Sequence, residues 1–317
     1  MQNNPNTTLV TAVAPITTQT HGGRAKCLQR LARLNLPVPT TVALSFDAVH
    51  RIASGHLPDI DAIVEQFPKD ALLCVRPSSE DPDWGGPSAI LNIGMNDARY
   101  EVLCGTLGPD AAAALFTRFV QSYAIHVDRL DPDMFDDIIG EGPAALAEVL
   151  RAYAGETETP FPVARREQLA GVLKSMARAW EGTSARLLRQ AKGAPLDAGL
   201  GLVIQQMAFG VGQGESGSGV LQLVSSKTGM PQITGRYLRQ SQGRDALRND
   251  ADSLFISRDS RGPSLEEMVP DCFAQLVAHA TLMRTQLREE MQVEFAIENG
   301  QLRILDGVRV ARSSRAT

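Results

Sequence analysis

The sequence predicts an α+β fold with two lobes. Helix and strand patterns are interleaved in the first half of the chain, whereas the second half shows several strand patterns and one long helix. Turn signals separate the later strands at hairpin spacing, which is typical of antiparallel sheet. We therefore predict a lead-in over residues 1–21, a mixed α/β lobe with a helical insertion over 22–198, and an antiparallel-sheet lobe over 199–317.

The first lobe contains three strand patterns and several helical ones. Helical spacing of apolar residues follows the glycine pair at 22–23 and ends at the prolines of NLPVPT. Short apolar runs predict strands at TVALSF, ALLCVR and AILNIGM, and a polar loop lies between the last two. Further helices are predicted over 47–55, 58–67, 109–131 and 142–154, and one long helix or two over 166–193.

The second lobe is predicted to be mainly sheet. The segments LGLVIQQMAF, VLQLVSS and PQITGRYL have the composition of strands, and a turn is predicted at Lys227–Gly229. A helix over 264–290 opens with Ser264 followed three residues later by Glu267, the pattern of a capping box. The chain then closes with a hairpin whose two-residue turn is Asn299-Gly300.

Composition excludes several classes of function. The 317 residues carry a net charge of -5, so there is no basic field to hold a nucleic acid. The four cysteines match neither a zinc pattern nor a redox pair. No apolar run is long enough to span a membrane, and the polar N-terminal segment is a poor signal peptide. We therefore expect a cytoplasmic protein.

The first candidate for ligand binding is Gly22-Gly23-Arg24. A glycine pair at the start of a helix leaves backbone N–H groups free at the positive end of the helix dipole, where phosphate binds. Arg24 would add charge. The alternative is an ordinary helix start with a solvated basic residue, which is the commoner explanation for this pattern alone.

Arg76 is the second candidate. It follows an apolar strand pattern and precedes a polar loop, so it should lie at the edge of a sheet, where a guanidinium can hold a phosphate in bidentate fashion. The alternative is a structural ion pair with Glu80 or Asp81.

The third candidate is the glycine-rich segment from Gly210 to Gly219. Its glycines, among them Gly212, Gly214, Gly217 and Gly219, could let backbone N–H groups approach a polyphosphate. It matches neither a Walker loop nor a dinucleotide fingerprint, because a strand follows it. A flexible hairpin tip is an equally good interpretation.

The fourth candidate is Glu294, a carboxylate in a strand pattern that could hold Mg²⁺ together with phosphates. A solvated strand face is the commoner explanation. The five histidines show no metal-binding spacing, and no histidine or acid partner is evident for a hydrolase triad at Ser216 or Ser218.

In sequence order, these segments resemble the N-terminal ATP-binding domain shared by pyruvate phosphate dikinase and phosphoenolpyruvate synthase, and the dikinase more closely. GGRAKC resembles the family's GGKGANL, LLCVRPSSE its VRSGA strand, and ILNIGMND its LNLGLND. FGVGQGESGSGV resembles FGNMGDDSGTGV, TGRYLRQSQGRDAL resembles YGEYLINAQGEDVV, and VEFAIENGQLRIL resembles IEFTIEEGKLYML. The resemblance is collinear from about Gly22 to Arg315.

The resemblance implies an ATP-grasp-like fold in which ATP and Mg²⁺ lie between two lobes. In members of the family, the bound ATP phosphorylates a histidine on a separate swivelling domain. The family lysine of GGKG falls on Arg24, its strand arginine on Arg76 and its glutamate on Glu294, and a glutamine falls on Asp306. The resemblance thus implies nucleotide binding by Arg24, Arg76, Glu294 and Asp306, metal binding by the two carboxylates, and catalytic roles for Arg76 and Glu294.

Other functional positions of the family are changed. Two family arginines fall on Val308 and on the segment Leu223–Ser226, where Val224 stands, and two family glutamates fall on Arg236 and Arg244. Arg309 is adjacent to Val308 but would need a β-bulge to replace the lost arginine. Since phosphoryl transfer depends on positioned charge and Mg²⁺, these changes affect the chemistry itself.

Three functions fit this sequence. The first is an ATP-dependent phosphotransferase module that serves a separate histidine-bearing phosphocarrier protein, because the chain ends where the family's first domain ends. The second is a catalytically degenerate binding or regulatory protein on the same fold. The third is a kinase for a different small molecule.

Overall fold

A computed structural model describes residues 6–224, 230–242, 252–288 and 291–309. The described chain contains α-helices and two five-stranded antiparallel sheets, so the predicted α+β class is confirmed. It divides into two compact units. The first comprises the chain up to Val10, Ala14–Lys26 and Thr40–Met207, and the second comprises Thr11–Val13, Cys27–Pro39 and the chain from Ala208 onward.

The sheet of the first unit has the strand order β1-β2-β5-β3-β4. Its strands are β1 (Thr7–Leu9), β2 (Thr41–Leu44), β3 (Leu73–Ser79), β4 (Ile90–Ile93) and β5 (Leu200–Gln206). The prediction put β5 at the start of the second lobe, but β5 is the central strand here and pairs with both β2 and β3. Its first six residues are all buried, which suits an apolar run covered on both faces.

The described part of the chain before β5 contains eight α-helices. They are α1 (Thr18–Arg33), α2 (Phe46–Ala53), α3 (Ile60–Val64), α4 (Asp97–Leu107), α5 (Pro109–His126), α6 (Gly142–Thr157), α7 (Arg165–Glu181) and α8 (Thr183–Ala191). Helix α4 was not predicted, because its apolar residues form no clear stripe. Gly182 separates α7 from α8, so the segment predicted as one long helix or two forms two helices.

The sheet of the second unit has the order β10-β9-β6-β7-β8. The strands are β6 (Gly217–Val224), β7 (Pro231–Arg239), β8 (Leu254–Phe255), β9 (Met291–Glu298) and β10 (Gln301–Arg309). The predicted Asn299-Gly300 turn is confirmed, since both residues have positive φ, at 49° and 78°. The predicted turn at 227–229 lies outside the described residues.

The predicted helix over 264–290 is interrupted after one turn. Its start is confirmed, because Ser264 Oγ accepts from the Glu267 N–H at 3.3 Å and donates to the Glu267 carboxylate at 2.8 Å. Helix α9 (Leu265–Met268) then ends at Val269, and α10 (Pro270–Leu287) begins with a proline. Proline lacks the N–H that a continuous helix would need there. Among the described residues, no helix is long and apolar enough to cross a membrane.

Candidate functional site

Gly22 starts the first candidate segment, and its backbone breaks α1. Gly22 has φ 84° and ψ 171°, so the continuous helix starts at Gly23, as the glycine pair predicts. A Cβ atom at Gly22 would collide with the carbonyl oxygen of Ser78 in β3. Positive φ and this close approach both require glycine here. The need for Gly22 is therefore explained by packing of the helix start against β3.

Ser78 supplies the cap of this helix from a distant strand. The Ala25 N–H donates to Ser78 Oγ at 3.1 Å, and the Ser78 hydroxyl donates to the His21 carbonyl at 2.7 Å. One of the helix's N-terminal donors is therefore used within the protein. Arg24 is half-buried and donates from Nη1 to the Pro77 carbonyl, so it is anchored on β3. The interpretation of Arg24 as a purely solvated residue does not hold.

Arg76 lies on β3 and is only 7% exposed. Burial raises the pKa of the neighbouring Cys74 thiol, while a hydrogen bond and the charge of Arg76, together with the charge of Arg24, oppose that rise. Both guanidinium groups are thus close enough to act on one thiol. The structure brings Arg24 and Arg76 together beside the start of α1, which concentrates positive charge where the sequence predicted phosphate binding.

Two of the predicted loop glycines belong to a strand instead. Gly217 and Gly219 lie in β6, where they pair with both β7 and β9. The rings of Tyr237 and Phe295, which flank Gly219 on the neighbouring strands, are stacked with centroids 6.1 Å apart. A Cβ at Gly219 would collide with the Phe295 ring. This glycine is therefore explained by the aromatic packing above it.

We expect Gly219→Ala to lower the free energy of unfolding by about 1–3 kcal/mol, because the added methyl overpacks a buried site. Denaturant unfolding measures the change. The matched control is Gly105→Ala in α4, where an added Cβ meets nothing within 4 Å. That helical substitution should stabilise by about 0.5–1 kcal/mol. Equal effects from both would contradict the packing explanation.

The other two glycines, Gly212 and Gly214, lie in the loop before β6. The Gly212 N–H donates to Gln240 Oε1 at 3.0 Å, and the Gly214 N–H donates to Asn299 Oδ1 at 3.2 Å. The Gln240 side chain also donates back to the Gly212 carbonyl at 2.9 Å. These side-chain partners were not predicted, since they come from distant turns. Phosphate binding by the glycine segment stays a prediction.

Glu294 and Asp306 form a carboxylate pair on adjacent strands. Glu294 is 6% exposed and Asp306 is fully buried, so Glu294 is not on a solvated strand face. The β9–β10 register shifts between Ile304 and Asp306, which puts Ile304 opposite Phe295 but Asp306 opposite Glu294. Directly opposite residues of antiparallel strands share a face of the sheet. The irregularity at Leu305 therefore moves Asp306 to the face of Glu294.

Beyond Asp306 the register has no further shift. Val308 pairs with Gln292, and Arg309 pairs with Met291. The backbone thus holds a bulge, but it lies before Asp306 and does not exchange Val308 for Arg309. Arg244 and the residues Ser225 and Ser226 lie outside the described residues.

Glu294 and Asp306 together are a small ligand set for a metal ion. No group of three or more His, Cys, Asp or Glu side chains with metal-binding geometry occurs within the described ranges. Two carboxylates suit a cation that takes one or two protein carboxylates and fills its remaining positions with other oxygen ligands. Mg²⁺ bound together with phosphates behaves in this way.

Comparison with known proteins shows what the chain is similar to. No family model matches it. Curated relatives named pyruvate, phosphate dikinase match most of it. The Rhizobium meliloti protein is 25% identical over 92% of this chain, and the Clostridium symbiosum protein is 29% identical over 74%. The chloroplastic dikinase 1 of Arabidopsis thaliana is 23% identical over 90%.

The chain is thus similar to pyruvate, phosphate dikinases over most of its length, and the resemblance to the dikinase that its motifs indicate is confirmed. It spans 38%, 28% and 32% of the length of these three relatives, respectively.

Proposed function

We propose that this chain is an ATP-grasp-like module that binds ATP together with Mg²⁺ and is of phosphotransferase type. The observation that carries the proposal is the buried pair Glu294 and Asp306, placed on one face of the sheet by the register shift. Two carboxylates suit Mg²⁺, which keeps water or phosphate oxygens in its remaining positions. The dikinase relationship supports a nucleotide as the source of those phosphates.

The arginines of the first unit supply the second part of the proposal. Arg76 is buried beside Cys74, and Arg24 is anchored on the Pro77 carbonyl. A guanidinium binds phosphate oxygens through two parallel N–H donors, and such charge-assisted bonds are strong. We assign phosphate binding to Arg76 and Arg24, with the Gly23 helix start adding partial positive charge.

The reaction we propose is transfer of the γ-phosphoryl group of ATP to a ring nitrogen of a histidine on a separate carrier protein, with ADP as the leaving group and the ring proton released to solvent. Glu294 and Asp306 would hold the metal, which neutralises charge that develops on the phosphates. Arg76 would bind phosphate oxygens and stabilise their negative charge. Glu294 and Arg76 thus have the direct roles in catalysis.

The competing proposal is a binding or regulatory module that has lost this reaction. It is favoured by one observation of the sequence, namely that valines stand at positions 224 and 308, where the dikinase resemblance implies arginines. Nucleotide binding is common to both proposals, and turnover distinguishes them.

Isothermal titration calorimetry with ATP, in the presence and absence of Mg²⁺, tests the shared proposal. We expect a dissociation constant in roughly the micromolar-to-millimolar range, corresponding to about −8 to −4 kcal/mol. Binding should be tighter with Mg²⁺. Neither heat nor a thermal shift at millimolar nucleotide would reject nucleotide binding altogether.

In the same titration, Arg76→Ala should weaken ATP binding by about 1.5–3 kcal/mol, the range for hydrogen bonds to charged groups. The matched control is Arg189→Ala, which removes another buried arginine, one stacked on Trp180 at 3.7 Å. Arg189→Ala should lower stability but leave ATP affinity per folded molecule unchanged. If Arg76→Ala does the same, Arg76 has a structural role only.

A further inference from the structure

Arg236 lies in the same cross-sheet row as the carboxylate pair. In the register of the second sheet, Arg236 on β7 is opposite Val220 on β6, Val220 is opposite Glu294, and Glu294 is opposite Asp306. Residues directly opposite one another share a face. One face of this sheet therefore carries a cation and two carboxylates, with Val220 between them. Two strand spacings, about 9–10 Å, separate the backbones at Arg236 and Glu294.

The guanidinium of Arg236 is held in a defined position. Its Cζ atom lies 3.8 Å from the ring centroid of Phe255, the next member of the row on β8. Its Nη1 donates to the Ser253 carbonyl at 3.3 Å. Stacking uses the flat face of the guanidinium, so its edge retains N–H donors for a planar or tetrahedral anion. Fixing the group in advance lowers the entropic cost of binding such an anion.

The neighbouring arginines are engaged differently. Arg261 lies 4.8 Å from the same ring but is tied to Asp259 by two hydrogen bonds of 2.8 and 2.7 Å. Hydrogen bonds from Arg261 lower the pKa of Asp259 to about 2, and the charge of Arg236 is the smallest contribution. Arg239 is paired with Glu215 at 3.0 Å. Within the described residues, no carboxylate lies within ion-pair distance of Arg236.

Position along the strand also separates Arg239 from the carboxylate row. Arg239 is three residues after Arg236 on β7, so the two alternate to opposite faces of the sheet. Of these two arginines on β7, Arg236 alone shares the face of Glu294 and Asp306.

We propose that Arg236 binds the polyphosphate of the nucleotide whose metal is held by Glu294 and Asp306. The assignment rests on the proposed function and adds a phosphate-binding residue to it. The face offers negative charge to a metal at one end and positive charge to phosphate oxygens further along, which matches a metal–polyphosphate complex. The resemblance implies glutamate at this position. On this proposal the arginine that replaces it contributes to nucleotide binding.

Titration calorimetry in Mg²⁺ with ATP and with adenosine tests the assignment on Arg236→Met, Arg236→Lys and Arg236→Glu. We expect Arg236→Met to raise the ATP dissociation constant roughly ten- to a hundredfold, the range for a charged hydrogen bond. Adenosine affinity should not change, because adenosine has no phosphate. Arg236→Lys should retain part of the ATP affinity, and Arg236→Glu should lose more than Arg236→Met.

Arg239→Met, which removes a paired arginine of the same strand, is the control and should leave ATP affinity within about twofold, since exposed ion pairs contribute little. Thermal unfolding verifies that each variant is folded. If the wild-type chain binds ATP and Arg236→Glu binds it equally well or better, the assignment of Arg236 alone is overturned. If the wild-type chain binds no nucleotide, the proposed function fails and the assignment with it.

Discussion

The purified chain is expected to turn over ATP at least about a thousandfold more slowly than the rate of about 1 per second at the lower end for kinases. An arginine that clamps a transferring phosphoryl group can contribute roughly 10³–10⁵ in rate. Val224 and Val308 stand where the dikinase resemblance implies such arginines. Formation of AMP or ADP from radiolabelled ATP, with and without a histidine-bearing carrier domain, measures the rate. Wild-type turnover near 1 per second would refute this expectation.

The informative variant restores both arginines, as Val224→Arg with Val308→Arg. In the presence of the carrier domain, it should gain at least about tenfold in turnover, because positioned charge is the main protein contribution to this chemistry. The control adds the same charge at two exposed valines, as Val13→Arg with Val163→Arg, and should not react faster. If the restored variant binds ATP but shows no gain, the binding-module proposal is favoured.

The proposed role of Arg236 affects which further substitutions should be added to this variant. The sequence alone presents Arg236 and Arg244 as lost glutamates, so reverting both would complete the restoration. The position of Arg236 in the carboxylate row leads to the opposite expectation for one of them. Adding Arg236→Glu to the two restored arginines should reduce ATP affinity, and adding Arg244→Glu provides the comparison.

Local signals in the sequence predicted local structure well. The Asn299-Gly300 turn needs only two residues with positive φ, and the Ser264 cap needs only a glutamate three residues later. The break between α9 and α10 was equally local, since Pro270 cannot continue the preceding helix, but the apolar pattern on either side favoured one continuous helix. Such features are encoded within a few residues of chain.

Features that depend on distant partners could not be predicted from local pattern. The apolar run of β5 fits any buried strand, and only its pairing with β2 and β3 assigns it to the first unit. Gly219 looked like part of a loop because the rings of Tyr237 and Phe295, which take the place of its side chain, come from other strands. The hydroxyl of Ser78 caps a helix more than 50 residues away in the chain.

The candidate site contains features that the local sequence predicts and features that depend on distant strands. Glu294, Arg76 and Arg24 were predicted as site residues from the sequence, and the structure buries or anchors each of them. The resemblance identified Asp306, but a strictly alternating strand would place it on the face of Ile304, away from Glu294. The register shift at Leu305 instead places Asp306 on the face of Glu294, and no residue type near Leu305 predicts that shift. The proposed metal site depends on this irregularity.

Removing either member of the carboxylate pair is expected to abolish the effect of Mg²⁺ on ATP binding. Mg²⁺ held by one or two carboxylates and by phosphates loses a large share of its protein ligands when one carboxylate becomes an amide. Glu294→Gln and Asp306→Asn should each raise the ATP dissociation constant in Mg²⁺ roughly ten- to a hundredfold, the range for contacts to charged groups. Titration calorimetry with and without Mg²⁺ measures this directly.

Glu298→Gln is the matched control, because Glu298 is a half-buried carboxylate at the end of the same strand, beside the hairpin turn. It should leave the Mg²⁺ dependence intact. The free energy of unfolding without ligand distinguishes a metal-binding role of the pair from a structural role. Like charges on directly opposite residues destabilise a sheet. Glu294→Gln and Asp306→Asn should therefore keep or raise the free energy of unfolding without ligand, while losing the metal effect. If both variants unfold more easily and still bind ATP more tightly in Mg²⁺, the pair holds the strands together and the metal site lies elsewhere.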